Sequence, residues 1–215
     1  MKKILLSIVV LAVVSIACKS EKKKEVTTEK AKVVDVNVGE LDNVDTSASV
    51  LNWKGTKPGG AHNGTVAIKT GGLLINKGAL VGGQFVFDMG SIKVLDIPAD
   101  KKANGDLVGH LSSPDFFAVE KFPTSKFVIT KVEGKNDKIN ITGNLRVKDV
   151  TKSITIPATI LTTDGITTIT SDKFNINRTD FGIKYKSKSF FSLEELKDKF
   201  IDDLIEMSFV VKTKS

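Results

Sequence analysis

A single cysteine in 215 residues rules out an intrachain disulfide, and one cysteine with two histidines leaves no Cys/His zinc pattern. The fold must therefore be held by its core. Tryptophan and tyrosine occur once each, and no basic stripe is interleaved with aromatics, which argues against nucleic acid. Long hydrophobic runs are also missing: the longest, Ile4 to Ala17, falls short of the roughly 20 apolar residues needed to cross a hydrocarbon core of ~30 Å. Catalytic signatures are absent too. No nucleophile with a base, no enclosed carboxylate pair and no metal-ligand cluster can be assembled, and His62 and His110 stand far apart. Asp180-Phe181-Gly182 spells a kinase tripeptide without a glycine-rich phosphate loop or a catalytic-loop motif. The expectation is a protein that is not an enzyme, with no cofactor and no metal.

What is present begins with Met1-Lys2-Lys3, continues through the apolar stretch and ends Ser15-Ile16-Ala17-Cys18. A charged start, a short apolar run and a small residue before cysteine read as a bacterial lipoprotein signal over residues 1–17, with lipid attachment at Cys18. Its motif resembles the lipobox, with Ser15 where leucine is usual. An ordinary secretory cleavage and an uncleaved anchor are the alternatives. Removing Lys2 and Lys3 with the signal lowers the formal net charge from +7 to +5, a balance compatible with anionic head groups.

Residues 18–43 read as the lipidated cysteine and a polar tether, rich in Lys, Glu, Thr and Val without apolar periodicity. A flexible chain of that length spans roughly 25 to 30 Å. From Val44 to Ser215 the period becomes two, as half-buried strands require. Phe127-Ile129, Ile139 to Val147, Ile154 to Ile160, Phe174-Ile176 and Met207 to Val211 all alternate. Gly71-Gly72, Asn76-Lys77-Gly78, Gly82-Gly83, Gly134 to Asp137 and Asp164-Gly165 are read as the separators. About eight short strands predict an all-β domain closed into one antiparallel barrel. Two helical excursions are expected, one from Ser113-Pro114-Asp115 into Phe116-Phe117, the other from the capping-box spacing at Ser192 to Glu195. Arg178 and Asp180, one residue apart, are expected on one strand face in a structural pairing role.

Several local stretches together resemble the YceI family. They are Gly109-His110-Leu111-Ser112-Ser113-Pro114-Asp115-Phe116-Phe117, then Glu120 to Phe127, Trp53-Lys54-Gly55, Gly60 to Gly64, Gly143 to Lys152, and Asn177 to Tyr185. Val108 departs from the acid that many members carry two residues before the histidine. The resemblance implies an elongated lipocalin-like β-barrel that binds polyisoprenoids or related amphiphiles in a tunnel. On that reading the candidate lining is Phe85, Phe87, Phe116, Phe117, Phe127, Ile129, Leu145, Phe174 and Ile176, with the Phe116-Phe117 helix at the rim, the part most able to move. Twelve phenylalanines against one tyrosine and one tryptophan suit a hydrocarbon-lined lumen, although alternation alone does not separate a hollow barrel from a packed one.

The implied function is binding, sequestration or transport of an isoprenoid lipid, such as a quinone, in the bacterial envelope. The implied place is the outer membrane facing the periplasm, with the membrane as partner through Cys18, no nucleic acid, and a homodimer left open. The rivals are a solid interaction module and, further off, a lipid-acting enzyme. Cys18→Ser should move the protein from the membrane fraction to the soluble fraction without changing its melting temperature, because anchor and barrel share only the polar segment. A variant that still pellets with membranes rules out acylation as the attachment.

Overall fold

The computed structural model describes residues 25–32 and 42–215. The signal 1–17, Cys18 and the remaining tether residues lie outside them. The strands are β1 (Glu29–Lys30), β2 (Val50–Lys57), β3 (Gly60–Asn76), β4 (Ala79–Val94), β5 (Thr124–Lys135), β6 (Lys138–Val147), β7 (Val150–Thr163), β8 (Ile166–Ser171), β9 (Phe174–Asn177) and β10 (Leu204–Lys212). Two helices, α1 (Lys102–Ser112) and α2 (Leu193–Leu196), and a 3-10 turn over Arg178–Phe181 interrupt them.

Neighbours pair antiparallel in the order β7, β6, β5, β4, β3, β2, β10, β8, and β8 returns to β7. The sheet is thus a closed barrel of eight staves, with β8 and β9 two pieces of one stave that both pair with β10. This is the expected fold class. Closure leaves no long unpaired edge.

Tight turns set the two ends. At one end, two-residue links Lys77-Gly78 and Asp164-Gly165 join paired strand ends, and both residues of each link have positive φ, the geometry that matches the right-handed twist of the strands. At the other end lie the Pro58-Gly59 link, α1, the 113–123 segment and the long 178–203 connection, so most of the irregular chain among the described residues gathers at one mouth of the barrel.

Two expectations need correction here. Gly71-Gly72 and Gly82-Gly83 do not separate strands; they lie inside the long β3–β4 ladder, Gly71 and Gly72 opposite Phe85 and Gln84, Gly82 and Gly83 opposite Leu74 and Leu73. Their missing side chains make room: a Cβ at Gly71 would press on the Phe85 ring, and one at Gly83 on Leu73 and on the Gly72 carbonyl. The helix expected at 113–117 instead precedes it as α1, where the Asn104 side chain donates to the Val94 and Ile97 carbonyls and Lys102 pairs with Asp106 one turn on. Ser113 caps its C-terminus and Pro114 cannot extend it. The second helix stands as expected, with the Ser192–Glu195 capping box intact in both directions.

Part of the expected tether is structural. The stave made of β8 and β9 breaks near Asp172, and above the break β9 parts from β7. Residues 25–30 fill that seam: Glu29 and Lys30 pair with Ser153 and Lys152 of β7, and the Val26 amide donates to the Asn175 carbonyl of β9. Val26 is buried in the core, Thr28 donates to Asp180, and Lys32 exchanges two hydrogen bonds with the Asn144 side chain on β6. A solvated tether buries nothing, whereas this strap buries one valine and satisfies backbone groups of both seam strands. Val26→Asp should therefore lower stability by about 1.5–3 kcal/mol, the value of burying one such side chain, and reduce the melting temperature. An unchanged melting curve would show that the strap contributes no closure.

Candidate ligand-binding site

The barrel is filled unevenly. At the tight-turn end Leu73, Leu80, Ile129, Ile141 and Ile169 are buried together in the floor, with Val44 laid over it, its N–H donating to the Gly71 carbonyl. Toward the irregular end the same alternation leaves a cavity of about 190 Å³. Its wall comes from the inward positions of nearly every stave: Leu51 and Trp53 from β2, Val66 from β3, Phe85, Phe87, Met89 and Ile92 from β4, Phe127 from β5, Leu145 and Val147 from β6, Ile154 and Ile156 from β7, Phe174 and Ile176 from β9, and Met207, Phe209 and Val211 from β10. The wall is almost wholly apolar.

Close backbone approaches set two of the aromatics. A Cβ at Gly143 would overlap the Phe127 ring, and one at Gly64 would overlap the Trp53 indole and the Lys93 carbonyl. These glycines let large rings lie flat against the neighbouring strand instead of filling the centre. The buried Trp53 indole N–H has no acceptor among the described residues.

The mouth is built from α1, which contributes Leu107 and Leu111, from Phe116 and Phe117, from Lys57 and His62 on the β2–β3 hairpin, and from Ile183 and Ile201. His110 stands edge-on to Phe116 at 5.0 Å and to Tyr185 at 4.8 Å, and Tyr185 lies 5.5 Å from Phe116, so the three rings pack together at the mouth. His110 Nε2 lies 3.2 Å from Asp115, and His62 Nδ1 lies 2.7 Å from Asp96. Partial burial pushes the Asp96 carboxyl up, but the Asn63 amide and the His62 ring outweigh it and hold it below the ordinary carboxylate value. Both histidine pairs are partly exposed, and among the described residues no three His, Cys, Asp or Glu side chains could hold a metal ion.

Arg178 organises this end. Arg178 and Asp180 pair with other segments as expected, but not from a shared strand face: they lie in the 3-10 turn over Arg178–Phe181, which turns Arg178 inward and sends Asp180 to Thr28. The Arg178 side chain is 3% exposed and donates to the carbonyls of Ile183, Ile201 and Asp202 and to the Asp203 carboxylate at 3.2 Å. Burial lowers its pKa while Asp203 and Asp202 raise it; the net shift is downward. A guanidinium begins so far above neutrality that it stays charged.

Of the nine sequence-named lining residues, Phe85, Phe87, Phe116, Phe117, Phe127, Leu145, Phe174 and Ile176 face the cavity. Ile129 does not: it is fully buried in the floor, two residues further down β5 than Phe127. The Phe116-Phe117 pair sits at the rim in a turn, not in a helix. The residues that sequence reading passed over, Ile154, Ile156, Phe209 and Val211, continue alternations already visible, and Leu107 and Leu111 have the one-turn spacing of a helix face.

The YceI-like domain family model matches residues 42–213. The chain belongs to the YceI family. The protein YceI of Salmonella arizonae and that of Salmonella newport are each 42% identical to it over 52 residues, which is 24% of this chain and 27% of theirs. The chain thus matches about a quarter of the length of these curated relatives. Among solved structures it resembles BcnA of Burkholderia cenocepacia, with a TM-score of 0.63 at 16% identity over 80% of this chain and 100% of that one. A polyisoprenoid binding domain from Saccharophagus degradans aligns with a TM-score of 0.58 at 12% identity, over 80% and 97% of the two chains. At such identities the likeness carries the fold.

If Arg178 serves as a clamp, Arg178→Ala should cost stability by ~3–5 kcal/mol, because it strands a buried carboxylate and three carbonyls. Arg178→Lys should recover only part of it, since an ammonium cannot reach four acceptors in the guanidinium plane. Chemical denaturation of both variants measures the effect. Unaltered stability in Arg178→Ala would remove the clamp from the account.

Proposed function

We propose that this YceI-family protein binds the hydrocarbon tail of an isoprenoid or similar long-chain amphiphile inside the barrel and carries it in the bacterial envelope without transforming it. One observation carries the reading: an almost wholly apolar cavity of about 190 Å³ persists above a floor of buried aliphatic side chains. A cavity of about 150 Å³ lined by such residues stays dry and takes up small hydrocarbons. Polar lining is confined to a few side chains, with Lys57, His62 and Thr56 together on the β2–β3 hairpin at the mouth. That polarity orients an amphiphile tail inward and head outward.

Magnitudes bound the ligand. Each buried CH₂ contributes ~0.8 kcal/mol, so one five-carbon unit yields about 4 kcal/mol before the cost of immobilisation. That is millimolar affinity at best. A useful carrier needs two or more such units, hence a tail that fills the cavity and extends through the mouth. The YceI relationship and the Saccharophagus domain support a prenyl chain as that tail. In the same reading, the signal at 1–17 and acylated Cys18 hold the protein on the outer membrane facing the periplasm.

Extraction of protein purified from its native host, followed by mass spectrometry, should yield a stoichiometric prenyl lipid. Repeatedly empty extracts would favour an interaction module whose cavity is incidental. Two tryptophan substitutions sharpen the test. Leu145→Trp adds its ring to the cavity and should leave the empty barrel's stability nearly unchanged while reducing lipid content. Ile129→Trp forces the same ring into the floor and should cost ~1–3 kcal/mol or more. Equal destabilisation by both would mean that the upper barrel is as full as the floor.

A further inference from the structure

Seven large apolar side chains stand exposed among the described residues, and three of them, Phe190, Phe191 and Leu193, fall within four positions. They are 48%, 44% and 62% exposed, and all belong to the connection between the 3-10 turn and β10. Lysines are interspersed with them along the chain. Lys184 lies 4.3 Å over the Phe190 ring, Lys188 lies 4.2 Å over Phe200, and Lys186, Lys197 and Lys199 complete five lysines in positions 184–199, against Glu194, Glu195 and Asp198. Glu195 is folded back into the capping box with Ser192, and Lys188 reaches Asp202 at 3.6 Å. The excess is cationic.

This loop is tied to the cavity at its base. Ile183 and Ile201, which flank it, both line the mouth; Arg178 donates to the carbonyls of both, and the Ile201 amide donates to the Lys186 carbonyl. Exposed aromatics flanked by lysines are what sits well at a bilayer interface, rings among the acyl boundary and ammonium groups among anionic heads. A loop that entered a membrane there would set the mouth against the lipid that is to be loaded. Among the described residues the opposite end of the barrel exposes no aromatic ring: its exposed large apolar side chains are Ile75 and Val81 on the β3–β4 hairpin and Leu161 on the β7–β8 hairpin.

We propose that the 184–200 loop is a docking surface for an anionic lipid bilayer and that it presents the cavity mouth to that bilayer. The inference rests on the reading of the cavity as a lipid site. Residue 25 joins the barrel beside Asn175, three residues before Arg178, on the stave that leads into the loop. A Cys18 anchor seven residues further back would span at most about 25 Å, a reach that allows anchor and loop to meet one surface.

The test uses residues 19–215, which retain every described element and lack the anchor. This protein should co-sediment with vesicles of phosphatidylcholine mixed with phosphatidylglycerol, more weakly with phosphatidylcholine alone, and less as salt is raised. Phe190→Ser combined with Phe191→Ser should reduce partitioning at least about tenfold with an unchanged melting temperature, since both rings are exposed. Leu161→Ser should leave partitioning unchanged. As a readout independent of the double variant's folding, Phe190→Trp should add indole emission that brominated acyl chains quench. Partitioning that survives the double substitution, falls equally with Leu161→Ser, or leaves the added indole unquenched overturns the docking surface. A parent protein that binds vesicles through the loop yet never yields lipid on extraction leaves this surface standing and overturns the carrier instead.

Discussion

The Arg178 guanidinium is the point on which the open end of this barrel depends. Its hydrogen bonds gather Ile183, Ile201, Asp202 and Asp203, which would otherwise be two separate lengths of irregular chain above an apolar hole. Irregular backbone beside a cavity has unpaired carbonyls, and a guanidinium can satisfy several at once from a fixed plane. The charge costs desolvation, which the Asp203 carboxylate offsets. With that knot in place the chain can leave the barrel at Ile183, expose a loop of aromatics and lysines, and return at Ile201 without widening the mouth.

Beneath that knot, the division between floor and cavity follows from side-chain size along each stave. On β5, Phe127 lies against the wall where Gly143 gives it room, and Ile129 closes the floor beneath it. Eight staves give an interior that side chains can just fill or just fail to fill. Here both occur in one barrel. The packed half provides a core to hold the shape, so the upper half can forgo packing without the barrel collapsing.

Much of this was legible in the sequence. Alternation located β5, β6, β7, β9 and β10, and the Ser192–Glu195 spacing located α2 with its cap. What alternation could not reveal was depth: Phe127 and Ile129 share a face and differ only in height, a property set by how the ladders stagger. Glycine misled at positions 71–72 and 82–83, where the chain uses its small size for close approach and not its turn preference. The α1 helix was hidden by Asn104, Gly105 and Gly109, poor helix formers whose cost is offset by the Asn104 side-chain bonds and by Leu107 and Leu111 at the mouth. Residues 25–32 carry no periodic signal, since a strap that contributes one buried valine needs none.

That strap gives the barrel a mechanical polarity. A pull applied to the chain ahead of residue 25 is borne first by the isolated bridge to Asn175, the Val26 amide bond and the two-residue ladder to β7, and only then by the long staves. Because so few bonds would have to break in succession, the seam yields at a lower load than the closed sheet. Tension on the leading end would thus be released by unzipping one panel of the wall, directly beside Phe174, while the other staves keep their registers.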